Sequence, residues 1–94
     1  MKVNVDFSGG LELQFAGRKH LTVDVPEQTT AAGLIEHLRK NELKDKEEMF
    51  VQQGTVRPGI LVMINDTDWE LEGTLDYKIQ PNDTIAFIST LHGG

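Results

Sequence analysis

The sequence predicts an α+β fold, and three observations lead to this prediction. Apolar and polar residues alternate at the start of the chain, a helical pattern occupies the middle, and several short strand-like runs follow it. The strands and the helix are grouped rather than regularly alternating, which is typical of α+β proteins and not of parallel α/β proteins. A length of 94 residues suffices for one hydrophobic core, so a single domain over residues 1–94 is expected.

The N-terminal part predicts a β-hairpin. Apolar and polar residues alternate over residues 3–7, as in a strand with one buried face. Ser8-Gly9-Gly10 is a turn signal, and alternation resumes over residues 11–15, so residues 2–15 predict two strands joined by this turn. A phosphate-binding loop is not favoured for the glycine pair, because no Gly-Lys-Ser/Thr ending and no helix follow it.

The middle of the chain predicts one amphipathic helix. Residues 20–25 continue the second strand, and Pro26 ends it. Either Thr29 or Thr30 can cap the helix that follows. The apolar residues then recur at helical spacing, and two cations close the helix where they suit the negative end of its dipole. These residues are Ala31, Leu34, Ile35 and Leu38, followed by Arg39 and Lys40.

The second half of the chain predicts several short strands. Residues 49–51 form an apolar patch that we expect to plug the edge of the core. The continuous apolar run at 60–64 predicts an interior strand, either covered on both faces or giving one face to a partner. Residues 69–71 alternate with acidic residues and predict a short strand, residues 75–79 cross over, and residues 84–88 form a buried last strand.

Placing the helix across a mixed sheet gives the β-grasp, or ubiquitin-like roll. In this arrangement the first and last strands lie side by side, an expectation that follows from the order of the elements along the chain. The chain then leaves the sheet through residues 89–94, which we expect to form an extended, flexible C-terminal tail ending in Gly93-Gly94.

Composition argues against several classes of function. The absence of cysteine excludes disulfides, zinc–thiolate sites and iron–sulfur clusters, and it fits a cytoplasmic protein. The net charge of −6 argues against direct nucleic-acid binding but permits docking to a basic protein surface. No apolar run approaches the ~20 residues of a membrane span. We expect a monomer without cofactors and without a membrane partner.

Residues capable of chemistry do not form a recognisable site within the body of the chain. Acidic residues at 66–72 have the wrong spacing for a calcium loop, and the three histidines lack metal-ligand spacing. Ser89 and His92 lie on or near the expected tail, whereas a catalytic triad needs rigid support. We therefore expect no catalytic residues, no metal site and no enzyme activity.

The tail carries the candidate functional group, which is the α-carboxylate of Gly94. It is ionised at pH 7, since its reference pKa is roughly 3.5, and it can attack a phosphate. Gly93 and Gly94 lack Cβ atoms and can extend through a narrow channel. Leu91 and His92 are the candidates for recognition of the tail by a partner.

Residues 56–94 resemble the ubiquitin-related modifier family, and residues 2–15 are consistent with it. The matching stretches are Val56-Arg57-Pro58-Gly59-Ile60-Leu61-Val62, Ile64-Asn65-Asp66, Asp68-Trp69-Glu70-Leu71, Leu75-Asp76-Tyr77 and the ending Phe87 to Gly94. The resemblance implies a ubiquitin-like sulfur carrier whose terminal Gly94 is adenylated and then thiocarboxylated by an ATP-dependent activating enzyme with sulfurtransferase activity. It further implies that a tRNA-thiolation enzyme uses this sulfur for 2-thiolation of wobble uridine in cytosolic tRNAs. Members of the family are also conjugated to lysines of target proteins through isopeptide bonds.

Two alternatives stay open. One is a sulfur carrier for molybdopterin or thiamine-type cofactor synthesis, although the Asp-Trp-Glu-Leu and Thr-Leu-His stretches favour the modifier family. The other is a non-conjugating ubiquitin-like interaction module, which would keep its activity if Gly94 were removed. Apolar residues on the run 60–64 or near Phe87 are candidates for a docking patch, and they can equally be core.

Overall fold

The structure, a computed structural model, describes residues 1–90. Its elements begin with strand β1 (Lys2–Ser8), a 3-10 helix (Leu11–Phe15), strand β2 (His20–Asp24), helix α1 (Ala31–Asn41) and a 3-10 helix (Glu47–Met49). They continue with strands β3 (Val51–Gln52), β4 (Thr55–Val56), β5 (Ile60–Ile64) and β6 (Thr67–Asp68), two 3-10 helices (Trp69–Leu71 and Thr74–Asp76) and strand β7 (Thr84–Ser89).

Five strands form one mixed sheet in the order β2-β1-β7-β5-β6, and β3 and β4 form a separate two-stranded sheet. The first and last strands, β1 and β7, pair in parallel at the centre, with Phe7 opposite Phe87. Antiparallel partners flank them on both sides. The predicted β-grasp fold and the predicted pairing of the first and last strands are therefore confirmed.

Helix α1 forms for the reasons that its sequence indicated. The hydroxyl oxygen of Thr30 accepts a hydrogen bond of 3.2 Å from the amide of Gly33, so Thr30 is the N-terminal cap. Arg39 and Lys40 lie in its last turn. The buried residues of the helix are Ala31, Leu34, Ile35 and Leu38, as the spacing predicted. No helix within residues 1–90 is long and apolar enough to cross a membrane.

Four phenylalanines join the sheet to the surrounding elements in the core. Phe7 and Phe15 stack with ring centroids 3.9 Å apart, and Phe50 meets Phe15 edge-on at 5.2 Å and Phe87 at 5.4 Å. All four side chains are buried, and each contributes roughly 1.5–3 kcal/mol through burial alone. Phe50 confirms the prediction that residues 49–51 plug the core edge.

The predicted hairpin over residues 2–15 is wrong, because residues 11–15 form a 3-10 helix and β1 pairs with β2 instead. Leu11, Gln14 and Phe15 are buried while Leu13 is 67% exposed. This i, i+3, i+4 pattern is one face of a helical turn and not the alternation of a strand. The apolar residue at position 13 imitated alternation although it faces solvent.

The predicted strand over residues 69–71 is also wrong. Strand β6 ends at Asp68, whose carboxylate accepts a hydrogen bond of 2.9 Å from the amide of Glu70. This cap begins a 3-10 helix that buries Trp69 and leaves Leu71 79% exposed. The capping Asp68 therefore replaces strand geometry with a helical turn.

Candidate functional site

The four residues that the sequence singled out, Leu91, His92, Gly93 and Gly94, lie outside the described residues. Their roles in tail recognition and activation therefore remain predictions. The described residues show where the chain leaves the sheet toward them, and which side chains surround that point.

The chain leaves the sheet from the end of β7, which has a neighbouring strand on each side. Ser89 is the last residue of β7 and pairs with Ile60 on β5. The amide of Thr90 donates a hydrogen bond of 2.9 Å to the carbonyl oxygen of Gly59, and the Thr90 hydroxyl donates one of 2.5 Å to the same oxygen. The first two residues of the segment 89–94 are thus held against the β5 side of the sheet.

Next to this exit lies an apolar patch on the sheet face opposite the buried core residues. Leu61 pairs with Ile88, and Met63 pairs with Ala86, so these four side chains form adjacent cross-strand pairs. Leu61 is 39% exposed and the other three are half-buried. We call Leu61, Met63, Ala86 and Ile88 the β5/β7 patch.

The apolar run 60–64 was predicted to be a strand that is either covered on both faces or open on one face to a partner, and the burial of its side chains distinguishes these two interpretations. Ile60, Val62 and Ile64 face the core, whereas Leu61 and Met63 face outward. Phe87 is core, and its outward-facing neighbours are the two patch residues of β7. The run is therefore a strand with one covered face and one accessible apolar face.

Polar and acidic side chains border the β5/β7 patch. On the β1 side, Asp6 lies opposite Ala86, and its carboxylate contacts a ring nitrogen of the exposed His20. On the β6 side, Asp68 lies opposite Met63. An apolar centre with an acidic rim suits a partner that presents an apolar contact surrounded by basic residues.

Asp83 anchors the turn that leads into β7, and sequence reasoning missed its role. Its carboxylate accepts hydrogen bonds from the Tyr77 hydroxyl at 2.6 Å, the Gln80 amide at 2.9 Å and the Asn65 side chain at 2.8 Å. Asp83 is 7% exposed. No motif marks this position, because its partners come from separate turns and only the fold brings them together.

The pKa values around Asp83 reflect this network. Burial alone would raise the pKa of the Asp83 carboxyl, but its three hydrogen-bond donors together hold that pKa below its ordinary value. Burial raises the pKa of Tyr77 to about 12, and the hydrogen bond to Asp83 adds to this effect. The carboxylate is therefore a fixed structural acceptor at neutral pH.

A groove of about 260 Å³ lies between α1 and the β3–β4 hairpin, and the charged side chain of Arg39 in it is already paired. Arg39 lies in this groove and pairs with Glu36 at 2.5 Å and Glu47 at 3.1 Å, and these hydrogen bonds raise the pKa of its guanidinium. Its charge is therefore neutralised by neighbours. Within residues 1–90, no group of three or more histidines, aspartates or glutamates is arranged to hold a metal ion.

Comparison with known proteins gives consistent matches along the whole chain. The family model described as Urm1 (Ubiquitin related modifier) matches residues 2–94. The chain is 52% identical to the ubiquitin-related modifier 1 homolog of Drosophila simulans over 96 residues, covering 100% of this chain and 95% of the relative. It is 52% identical to the homolog of Chlamydomonas reinhardtii over 98 residues, covering 100% and 99%.

A solved structure gives a match of the same kind. The solution structure of Urm1 from Trypanosoma brucei superimposes with a TM-score of 0.85 at 43% sequence identity. The superposition covers 99% of this chain and 95% of that one. Sequence and fold therefore agree over nearly the full length.

Proposed function

Because this chain belongs to the ubiquitin-related modifier (Urm1) family, we propose that it is a ubiquitin-like sulfur carrier and protein modifier that acts through the α-carboxylate of Gly94. The observation that carries the proposal is that the family match extends to residue 94 and so includes the Gly93-Gly94 ending. The protein is a substrate of other enzymes and not itself an enzyme. The family match favours this function over a carrier for cofactor synthesis.

The first proposed step is activation of the terminal carboxylate. A carboxylate is a poor acyl donor, because oxide is a poor leaving group. One oxygen of the Gly94 carboxylate attacks the α-phosphorus of ATP, pyrophosphate leaves, and an acyl-adenylate forms whose leaving group is AMP. The nucleotide-binding site belongs to the activating enzyme, because this sequence contains no nucleotide-binding motif.

The second proposed step replaces oxygen by sulfur. The terminal sulfur of a persulfide on the activating enzyme attacks the acyl carbon, and AMP leaves. A thiol then cleaves the sulfur–sulfur bond of the resulting acyl disulfide and releases a thiocarboxylate at Gly94. The carrier contains no cysteine, so it cannot hold a persulfide on its own side chains.

The activated terminus has two proposed acceptors. A tRNA-thiolation enzyme takes the sulfur for 2-thiolation of wobble uridine in cytosolic tRNAs, which gives the protein a cytoplasmic role. Alternatively, a lysine amine of a target protein attacks the acyl carbon of the thiocarboxylate, the carbon–sulfur bond breaks and hydrogen sulfide leaves, and an isopeptide bond forms. The net charge of −6 supports delivery through a partner enzyme rather than by direct contact with tRNA.

The β5/β7 patch is the proposed docking surface for the activating enzyme. It combines an exposed Leu61 with an acidic rim at Asp6 and Asp68, and its residue Ile88 lies one position before the last residue of β7. A partner bound there would lie beside the point at which the tail leaves the sheet. Docking and access to Gly94 can therefore occur in one complex.

The test is ATP–pyrophosphate exchange catalysed by the activating enzyme, with the full chain and with a chain lacking Gly94. We expect exchange with the full chain and a loss of at least about 100-fold on deletion, because a carboxylate one residue short no longer reaches the α-phosphate. Equal exchange by both chains would show that the terminus is not the reacting group and would support an inert interaction module. An enzyme proven active on another carrier serves as the control.

A further inference from the structure

The turn after β1 runs beside the exit of the C-terminal tail. Strands β1 and β7 pair in parallel as far as Ser8 opposite Ile88, so the next residues, Gly9 and Ser89, continue side by side. Gly9 has a φ of +71°, a left-handed conformation that glycine adopts without strain. Gly9, the first glycine of this turn, therefore lies against Ser89, the last residue of β7.

Gly9 is in close contact with the backbone of Ser89. A Cβ atom at position 9 would overlap the carbonyl oxygen of Ser89 and come within 3.0 Å of its carbonyl carbon and 3.1 Å of its amide nitrogen. All three are backbone atoms, so no side-chain rotation relieves the overlap. A residue larger than glycine must displace either the turn or the end of β7.

Such a backbone overlap does not accompany every left-handed glycine. Gly10 and Gly17 have φ values of +96° and +77°, and a Cβ at either position would meet no atom within 4 Å. Alanine at Gly17 would therefore introduce left-handed strain alone. Alanine at Gly9 would introduce the same strain together with an overlap at the tail exit.

The other side of the exit is held by β5. Ser89 pairs with Ile60, and Thr90 donates two hydrogen bonds to the Gly59 carbonyl. The chain at residues 89–90 is thus confined between the Gly9 turn and the turn that ends at Gly59. Residues 91–94 can span at most about 14 Å. The direction of the chain at Thr90 therefore limits where the carboxylate of Gly94 can arrive.

We propose that Gly9 is a positioning residue for the activation of Gly94, because its lack of a Cβ atom lets β7 continue past the turn and directs the tail along the Gly59 carbonyl. The inference rests on the proposed function, in which an activating enzyme adenylates this terminus. Gly9 has no side chain that could take part in the reaction, and it acts through the backbone of Ser89 and Thr90. Docking through the β5/β7 patch does not involve it.

The test compares Gly9→Ala with Gly17→Ala in ATP–pyrophosphate exchange. We expect Gly9→Ala to lower kcat by about 10-fold, because a misdirected terminus spends less time aligned with the α-phosphate, while KM changes by less than about 2-fold. Gly17→Ala, the matched control for strain, should retain the wild-type kcat and KM. Amide hydrogen exchange at Thr90 should accelerate in Gly9→Ala and stay unchanged in Gly17→Ala.

A second variant covers the case in which Gly9→Ala does not fold. Thr90→Pro removes the amide and hydroxyl donors to Gly59 and leaves Gly9 intact, and a similar fall in kcat is expected. Equal kcat for wild type, Thr90→Pro and any folded Gly9→Ala would overturn the positioning role alone. No exchange by the wild-type chain would contradict the proposed function, and the inference would fall with it.

Discussion

Asp83 shows how a single residue supports the strand from which the tail leaves. Its three hydrogen bonds join the turns that carry Asn65, Tyr77 and Gln80 to the start of β7. Each bond to a charged acceptor contributes about 1.5–3 kcal/mol in a setting of this kind, and an unpaired buried partner costs a similar amount. The carboxylate therefore stabilises the geometry of the last strand without taking part in chemistry.

Replacing Asp83 tests this structural role. Asp83→Asn should lower the free energy of unfolding by about 1–3 kcal/mol at neutral pH, because its amide nitrogen would face a hydrogen-bond donor. The neighbouring exposed Asp76 provides a control, and Asp76→Asn should change the stability by less than about 0.5 kcal/mol. Urea unfolding measures both effects.

The same variant has a defined pH dependence. The folded-state pKa of Asp83 is depressed, so the unfolded chain binds the proton more readily. The ionised Asp83 carboxylate therefore stabilises the folded wild-type chain fully above about pH 4, the ordinary aspartate pKa. This stabilisation is lost as the pH falls through the lower pKa of the folded state. The stability difference between wild type and Asp83→Asn should shrink on acidification. A constant difference down to about pH 2 would exclude the lowered pKa.

At the scale of elements, the periodicity of apolar residues predicted the helix and the main strands correctly. Two short segments were predicted wrongly because local features of the chain favour 3-10 helices there. Helix α1 was predictable because its capping threonine and apolar spacing agree. The 3-10 helix at residues 11–15 was not predictable, because the exposed Leu13 gives the segment the apolar–polar alternation of a strand. The 3-10 helix at residues 69–71 was not predictable either, because its apolar and acidic residues alternate as in a strand, whereas capping by Asp68 favours a helical turn.

The sequence singles out the candidate tail, whose role stays a prediction, but only part of the surroundings of the tail could be predicted from it. A terminal glycine pair after a buried strand is visible in the sequence. The β5/β7 patch needs the pairing of two strands that are distant along the chain, which fixes which residues of an all-apolar run face outward. The contact of Gly9 with Ser89 depends on the parallel pairing of β1 and β7, so no local pattern could have revealed it.

The paired strands of the β5/β7 patch permit a test of docking. Leu61→Asp should raise the KM for the carrier in ATP–pyrophosphate exchange by about 10-fold or more, because it places a charge in an apolar contact. The kcat should stay close to wild type, since the tail exit is unchanged. Leu71, which is 79% exposed and outside the patch, provides the matched control Leu71→Asp. Equal KM values for the two variants would exclude the patch as the docking surface.

At the scale of the whole molecule, the fold keeps the last strand fixed at the centre of the sheet. Strand β7 is paired on both sides, and its core residue Phe87 stacks against Phe7 of β1. The position of residue 90 is therefore determined by the entire sheet and not by a frayed edge. A partner that docks on the β5/β7 patch would meet the tail at a fixed starting point.

The most direct measurement is the intact mass of the chain after incubation with the activating enzyme, ATP and a sulfur donor. We expect exchange of one oxygen for one sulfur, confined to the C-terminal peptide that contains Gly94, and no exchange when ATP is omitted. An unchanged mass, with the enzyme active on another carrier in the same reaction, would contradict the proposed role of Gly94 as a sulfur carrier. An oxygen-for-sulfur exchange at any other position of the chain would contradict it as well.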